Sequence, residues 1–184
     1  MITELSKKVM NMFDKADSDY SGEPWFFKLH IRPVMKLAWK LAEKYNADKD
    51  IVEAAACLHD IGLINVGKKD HAKHGAERAR KILSEMNYDS KFIDRVCACI
   101  ETHMSNVKLP VSKEAKIVST ADGLSHLTTN WFKVKRKHSK LTDEKYKQWC
   151  LKKIKTDLKK IHFSDEKKLA EKHAKELLQK LKYL

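Results

Sequence analysis

At 184 residues, with 42% hydrophobic and 34% charged side chains, the chain is long enough to bury a core under a highly charged surface. Five glycines and three prolines are too few for a fold of short strands and tight turns, and no apolar run approaches the roughly 20 residues that span a bilayer. Lys and Arg number 38 against 25 Asp and Glu, and the excess is uneven: 18 basic and 7 acidic residues from Trp131 to Leu184 place +11 of the net +13 there.

Such a C-terminal region can attract a polyanion, including nucleic acid. A solvated lysine-rich helical face is the plainer explanation. Cys57, Cys97, Cys99 and Cys150 show neither a CxxC motif nor a disulfide-like spacing, and the first three sit among apolar residues as small core side chains. The N-terminus lacks the charged start and apolar centre of a secretion signal, so a reducing cytoplasm is the expected compartment.

Helical periodicity runs along almost the whole chain. The first clear helix is "WFFKLHIRPVMKLAWKLAEKY", opened by Pro24, with Leu29, Val34, Leu37 and Leu41 on its apolar side. Pro33 falls inside it and predicts a kink or a division. A second helix, near Lys49 to Ile61, buries Ile51, Val52, Ala55 and Leu58, and Gly62 is placed to end it in a left-handed conformation. The loop "GLINVGKKD" leads to the helix "HAKHGAERARKILSEM". Ser90 is placed to cap "KFIDRVCACIETHM", and Ser112 to cap "KEAKIVSTADGLSHLTTNWF". Thr142 and Ser164, each followed by two acids, mark the starts of the last two helices. The expected fold is all-α.

The nine histidines separate by context. His138, His162 and His173 lie in the lysine-rich region and read as surface residues. His30 and His59 sit on apolar-periodic helices, His103 ends one, and Asp122 lies inside another, where an unpaired charge is expensive to bury. Singly, each has an ordinary structural explanation. Together, His30, His59, Asp60, His71, His103 and Asp122 lie on or beside separate helices, as residues converging on the centre of a bundle must. Imidazole nitrogen and carboxylate oxygen suit Mn, Fe, Co, Ni or Zn at an open site, and a carboxylate can bridge two ions through its two oxygens.

On these residues the chain resembles the HD-domain metal-dependent phosphohydrolase superfamily. His30, the pair His59-Asp60 in "LHDIG", and the distant Asp122 in "EAKIVSTADGL" match its signature over about His30 to Leu127. "HAKHG" and "CIETHMS" are similar to the additional histidine positions of two-metal members. The resemblance implies a single HD-type helical domain over residues 1–184, with the metal-site core at about 24–130 and the basic helices of 131–184 packed on it.

It further implies that His30, His59, Asp60 and Asp122 hold one divalent ion. His71 and His103 would hold a second, bridged by Asp60. His74 is the alternative to His71, whose spacing to Gly75 is the better match. Asp60 and His59 would be the catalytic pair, and the ion Mn, Fe, Co, Ni, Zn or Mg. The implied activity is hydrolysis of a phosphate ester or anhydride of a small molecule, a nucleotide foremost, by metal-activated water. Without a glycine-rich phosphate loop, Lys68, Lys69, Arg78 and Arg32 are the candidate phosphate-binding cations, and His126 a candidate to orient Asp122. The competing readings are a di-iron oxygenase of the same superfamily and an RNA-binding module with a structural metal. Many relatives read Asp-Ala-Asp where this chain has Thr120-Ala121-Asp122, which puts one supporting contact of the site in doubt.

Overall fold

The computed structural model describes residues 4–16, 25–64, 69–104 and 108–181, so Pro24 and Lys68 lie outside the described residues. Regular structure among them is entirely helical: α1 (Glu4–Asp14), α2 (Arg32–Lys44) entered through a π-helical segment (Phe27–Ile31), α3 (Lys49–Leu58), a 3₁₀ turn (Ile61–Leu63), α4 (His71–Glu85), α5 (Ser90–Thr102), α6 (Lys113–Thr128), α7 (Trp131–Lys137), α8 (Asp143–Lys159) and α9 (Ser164–Lys180). The all-α expectation holds. None of these helices is long and apolar enough to cross a membrane.

Helix α6 forms the axis. It is buried on every side from Ile117 to Leu127 and packs against α2, α3, α5, α7, α8 and α9. A helix surrounded in this way carries little amphipathic stripe, and its polar members need partners inside the protein. Those partners are the site described below. All four cysteines are free and buried, and burial pushes the Cys57 and Cys99 thiols up to about 12.

Several local expectations need correction. At Pro33 the helical run changes type without being interrupted, a π segment passing directly into α2. The preceding turn widens, and the Arg32 N–H reaches back to the Phe27 carbonyl, five residues away. Proline has no N–H for the carbonyl four residues back and its ring crowds that turn, so a π segment relieves both faults. The wider turn shifts the phase of the residues before it, leaving Leu29 at 37% exposure rather than in the core.

Asp89, not Ser90, caps α5, accepting from the Phe92 N–H at 2.9 Å. Ser164 is the first residue of α9, and Phe163 stands at the cap position without a side-chain bond. Ser112 and Thr142 do cap, and Asp48 caps α3 in the same way. The long helix expected through "LTTNWF" stops at Thr128. Thr128 and Thr129 donate back to the Leu124 and Ser125 carbonyls at 2.7 Å, and Thr129 is extended before α7 begins.

Gly62 is not left-handed; among the described residues other than glycine, Asn46, Asp70 and Asn87 have positive φ. Its role is close approach. A Cβ on Gly62 would lie 2.0 Å from the His71 carbonyl oxygen and 2.6 Å from the Gly75 nitrogen, so only glycine lets the 3₁₀ turn rest on the start of α4.

Candidate metal centre

Five chain segments deliver the site. The π segment carries His30; the end of α3 carries His59 and Asp60; the first residue of α4 is His71; His103 follows the end of α5; and the middle of α6 carries Asp122. All six are buried, the most accessible being Asp60 at 8% exposure.

His59 and His103 are set by the same local device. Each stands just past its helix, with Nδ1 donating to the carbonyl three residues back: His59 to Ala56 at 2.8 Å and His103 to Ile100 at 2.7 Å. A carbonyl can only accept, so the proton is on Nδ1 and the neutral ring offers its Nε2 lone pair inward. That is the tautomer a metal ligand needs.

Asp60 sits between two groups of imidazoles. Its Oδ2 lies 3.2 Å from His30 Nε2 and 3.4 Å from His59 Nε2, while its Oδ1 lies 3.3 Å from His71 Nε2 and 3.6 Å from His103 Nε2. Asp122 Oδ1 completes the first group, 3.5 Å from His30 and 3.8 Å from His59. Ligand atoms lie mutually within 4.8 Å in three sets among the described residues: His30-His59-Asp60, Asp60-His71-His103, and His30-Asp122-His126. Two nitrogen pairs, His30–His59 and His71–His103, each close to 3.3 Å. Asp122 Oδ1 and His30 Nδ1 are buried without a hydrogen-bond partner. Converging lone pairs with an orphaned carboxylate oxygen among them fit a divalent cation.

The electrostatics agree. Burial works to raise Asp60, yet His59 and the other imidazoles around it hold its carboxyl well below the ordinary range. Asp122 is likewise held well down against burial, chiefly by Lys160. His59 is the exception: burial opposes its protonation, but the Asp60 and Asp122 carboxylates outweigh it and raise its pKa, so a cation bound there would compete with a proton for Nε2. Burial pushes His103 down to about 4, keeping it a neutral donor at neutral pH.

His74, the other candidate for the α4 position, points outward: its side chain is 42% exposed and lies 3.5 Å from Glu77. The described members of the expected phosphate cations, Lys69, Arg78 and Arg32, do not gather at the centre. Arg78 donates from Nη1 to the Ile61 and Ile64 carbonyls at 3.1 and 3.0 Å, tying down the turn that follows Asp60 rather than facing the site. Arg32, two residues and more than half a helical turn from His30, lines a separate groove with Met10, Met35 and Trp39. Lys69 is exposed in the turn before α4.

Three residues were missed altogether: Lys153 and Asp157 on α8, and Lys160 just past its end. Lys160 is 2% exposed, and its ammonium pairs with Asp122 Oδ2. Asp157 is fully buried and accepts from Lys153, with His126 Nδ1 3.2 Å away. His126 in turn presents Nε2 to Asp122 Oδ1 at 3.6 Å and stacks on His30, with centroids 4.8 Å apart and planes at 4°. The high lysine content of this region masked them. The available signal was the stripe Tyr146, Cys150, Ile154, continued by Asp157 and Ile161: a carboxylate in an apolar series implies buried cations beside it.

With the geometry in place, relatives can be compared. The HD domain family matches residues 29–127, over half of the chain, which therefore belongs to the HD-domain family. Bacillus subtilis YpgQ, solved in complex with ADP, is 26% identical with a TM-score of 0.66, covering 98% of this chain and 90% of that one. A predicted HD superfamily hydrolase from an uncultured Thermotogales bacterium shares the fold at TM-score 0.68 and 22% identity, over 98% and 88% of the two chains. The tRNA (cytidine(56)-2'-O)-methyltransferase of Picrophilus torridus is 34% identical over 110 residues, 52% of this chain but 30% of that protein. Ribonuclease Y of Treponema pallidum is 35% identical over 98 residues, 52% of this chain and 18% of that protein. The chain thus spans less than a third of the length of these curated relatives.

Proposed function

We propose that the chain is a metal-dependent phosphohydrolase that cleaves a phosphate ester or anhydride of a small molecule, a nucleotide foremost. The observation that carries this reading is the placement of Asp60, with one carboxylate oxygen among His30 and His59 and the other among His71 and His103. In it, His30, His59, Asp60 and Asp122 hold one divalent ion, and Asp60, His71 and His103 hold a second. Ions held there would polarise phosphoryl oxygen and lower the pKa of water.

The chain's own groups supply the rest. Asp60 and Asp122 stay ionised at neutral pH and present −2 to the ions. His59 and His103 each donate from Nδ1 to a backbone carbonyl, which turns Nε2 toward Asp60. Arg78 fixes the backbone of the turn after Asp60. His126, pushed down to about 4 by burial and Lys153, is a neutral ring beside Asp122. The ADP complex of YpgQ supports a nucleotide as the first substrate class to try.

The deciding experiment is metal analysis followed by phosphate release from a panel of nucleotides and phosphate esters with Mn, Co, Ni, Mg, Zn and Fe. Asp60→Ala should reduce turnover by more than about 100-fold, since even residues that merely support a ligand cost 10–100-fold, and should lower bound metal in parallel. Activity that survives this substitution would remove the assignment. An oxygen-dependent optical change with iron, and no phosphate release, would replace it by the di-iron oxygenase reading. The partial matches to a tRNA methyltransferase and a ribonuclease, with the +11 charge of the C-terminal region, favour RNA as a second partner. Salt-sensitive RNA binding unchanged by Asp60→Ala would support that role.

A further inference from the structure

We infer that Lys160 is a built-in counter-cation of the metal centre: a positioning residue that lets the site fold without an ion, restricts Asp122 to one free oxygen, and thereby holds ion affinity down. The inference rests on the metal-site reading proposed above. The two Asp122 oxygens are divided. Oδ2 is taken by the Lys160 ammonium, which also lies 3.4 Å from Met104 Sδ, and Oδ1 faces His30, His59 and His126 with no hydrogen bond of its own.

The pairing is constructed, because three residues of α6 pin the end of α8 against Asp122. Gly123, the next residue, admits it: a Cβ there would meet the Asp157 carbonyl at 2.8 Å and Lys160 Cβ at 3.1 Å. The Ser119 hydroxyl lies 2.9 Å from the His103 carbonyl and 3.2 Å from the Lys160 carbonyl, joining two sides of the centre. Thr120 Oγ1 lies 3.4 Å from the Lys160 carbonyl and accepts from the His162 N–H at 3.1 Å. Thr120 is the position where many relatives carry a second aspartate, and here it fastens the turn that follows Lys160.

The consequence follows from charge. A buried carboxylate without a cation is strongly destabilising, so a site with only ions to balance Asp60 and Asp122 would be unstable when stripped of them. Lys160 balances one of the two permanently. The same fixed positive charge repels an incoming ion in a medium of low dielectric and denies it the second oxygen of Asp122. Removing the ammonium therefore destabilises the ion-free protein more than the loaded one, which by linkage is a gain in ion affinity.

The test compares wild type with Lys160→Met, which keeps the length and apolar stem, using Mn²⁺ counted by the paramagnetic resonance of the free ion and thermal unfolding in chelator and in excess Mn²⁺. Wild type should bind Mn²⁺ and unfold cooperatively in chelator. Lys160→Met should unfold at a much lower temperature in chelator, recover most of that loss with Mn²⁺, and bind Mn²⁺ at least about tenfold more tightly. Equal Mn²⁺ affinity, with the two unfolding temperatures falling in parallel, would reduce Lys160 to a packing residue and overturn the inference. Weaker binding in Lys160→Met would overturn it too. Should that variant fail to fold even with Mn²⁺, Lys160→Met/Asp122→Asn decides: removing both charges should restore folding in chelator, and continued collapse would refute the counter-cation role. Failure of wild type itself to bind Mn²⁺ would instead bring down the metal-site reading beneath it.

Discussion

His59 and Asp122 approach each other to 3.8 Å but are held there by different means. His59 ends a helix and is oriented by one bond to its own backbone, as His103 is on the neighbouring helix. Asp122 lies mid-helix and is oriented from 38 residues away, by a lysine on another element. The wall built by α3, α4 and α5 thus gathers His59, His71 and His103 around one carboxylate, with His59 and His103 each fixed by a bond to its own helix. The wall built by α6 and the end of α8 is an ionic network, Lys160–Asp122–His126–Asp157–Lys153, fixed by contacts between elements distant in sequence. The first wall brings together ligand atoms of the kind that could hold a divalent ion. The second already contains cations and sets how much more positive charge the centre accepts.

Each wall depends on one glycine contact, and substituting the two glycines separates them. Gly62→Ala drives a Cβ to 2.0 Å of the His71 carbonyl, a clash of backbone with backbone that no rotamer relieves. Its expected cost lies above about 3 kcal/mol, beyond the usual range for overpacking, with loss of the Asp60-His71-His103 geometry. Gly123→Ala meets the Asp157 carbonyl at 2.8 Å and the Ile161 side chain at 3.0 Å. Part of that strain is offset by the roughly 1 kcal/mol gained on replacing a helical glycine, leaving about 1–2 kcal/mol. Chemical denaturation measures both. If Gly123→Ala proves the more damaging, the ionic wall rather than the imidazole wall carries the integrity of the centre.

This contrast also explains how much could be read from the sequence. The all-α fold was legible because apolar period, caps and scarce glycine agree along the chain. The imidazole wall was legible because His59-Asp60, His71 and His103 lie at helix ends, where sequence marks the positions. His126 was visible as one turn beyond Asp122. Lys160, Lys153 and Asp157 were not, because a buried lysine differs from a solvated one only through its partner, and the partner is set by tertiary packing. Arg78 and Arg32 were singled out by position alone, and the structure holds them away from the cluster of imidazoles. Proximity in sequence to a ligand says nothing about which side of a helix a cation occupies.

Arg78 offers a sharper probe of the imidazole wall. If it secures the turn after Asp60, Arg78→Met loses two charge-assisted bonds to backbone carbonyls and should cost about 1–2 kcal/mol. Turnover should fall while KM for a nucleotide stays within a factor of about two, as for an interaction not made directly with substrate. A large rise in KM with unchanged stability would restore Arg78 as a phosphate-binding residue.

The smallest expected effect lies outside both walls, where α9 is fastened to α2. Glu166 accepts from the Tyr45 hydroxyl and from Lys44, and burial, which would raise its carboxyl, is outweighed by those bonds, so its pKa lies below the ordinary glutamate value. A folded-state pKa that is depressed contributes stability above the unfolded pKa, and that contribution is lost as pH falls through the folded value. Glu166→Gln should therefore cost about 1 kcal/mol at neutral pH, and the gap to wild type should close below about pH 4.5, where the unfolded glutamate is already protonated. Thermal unfolding from pH 7 to pH 3 measures this. A gap that persists unchanged at pH 3 would mean that Glu166 acts through shape rather than charge. The ionic character of the interior would then be confined to the metal centre and the α8 network behind it.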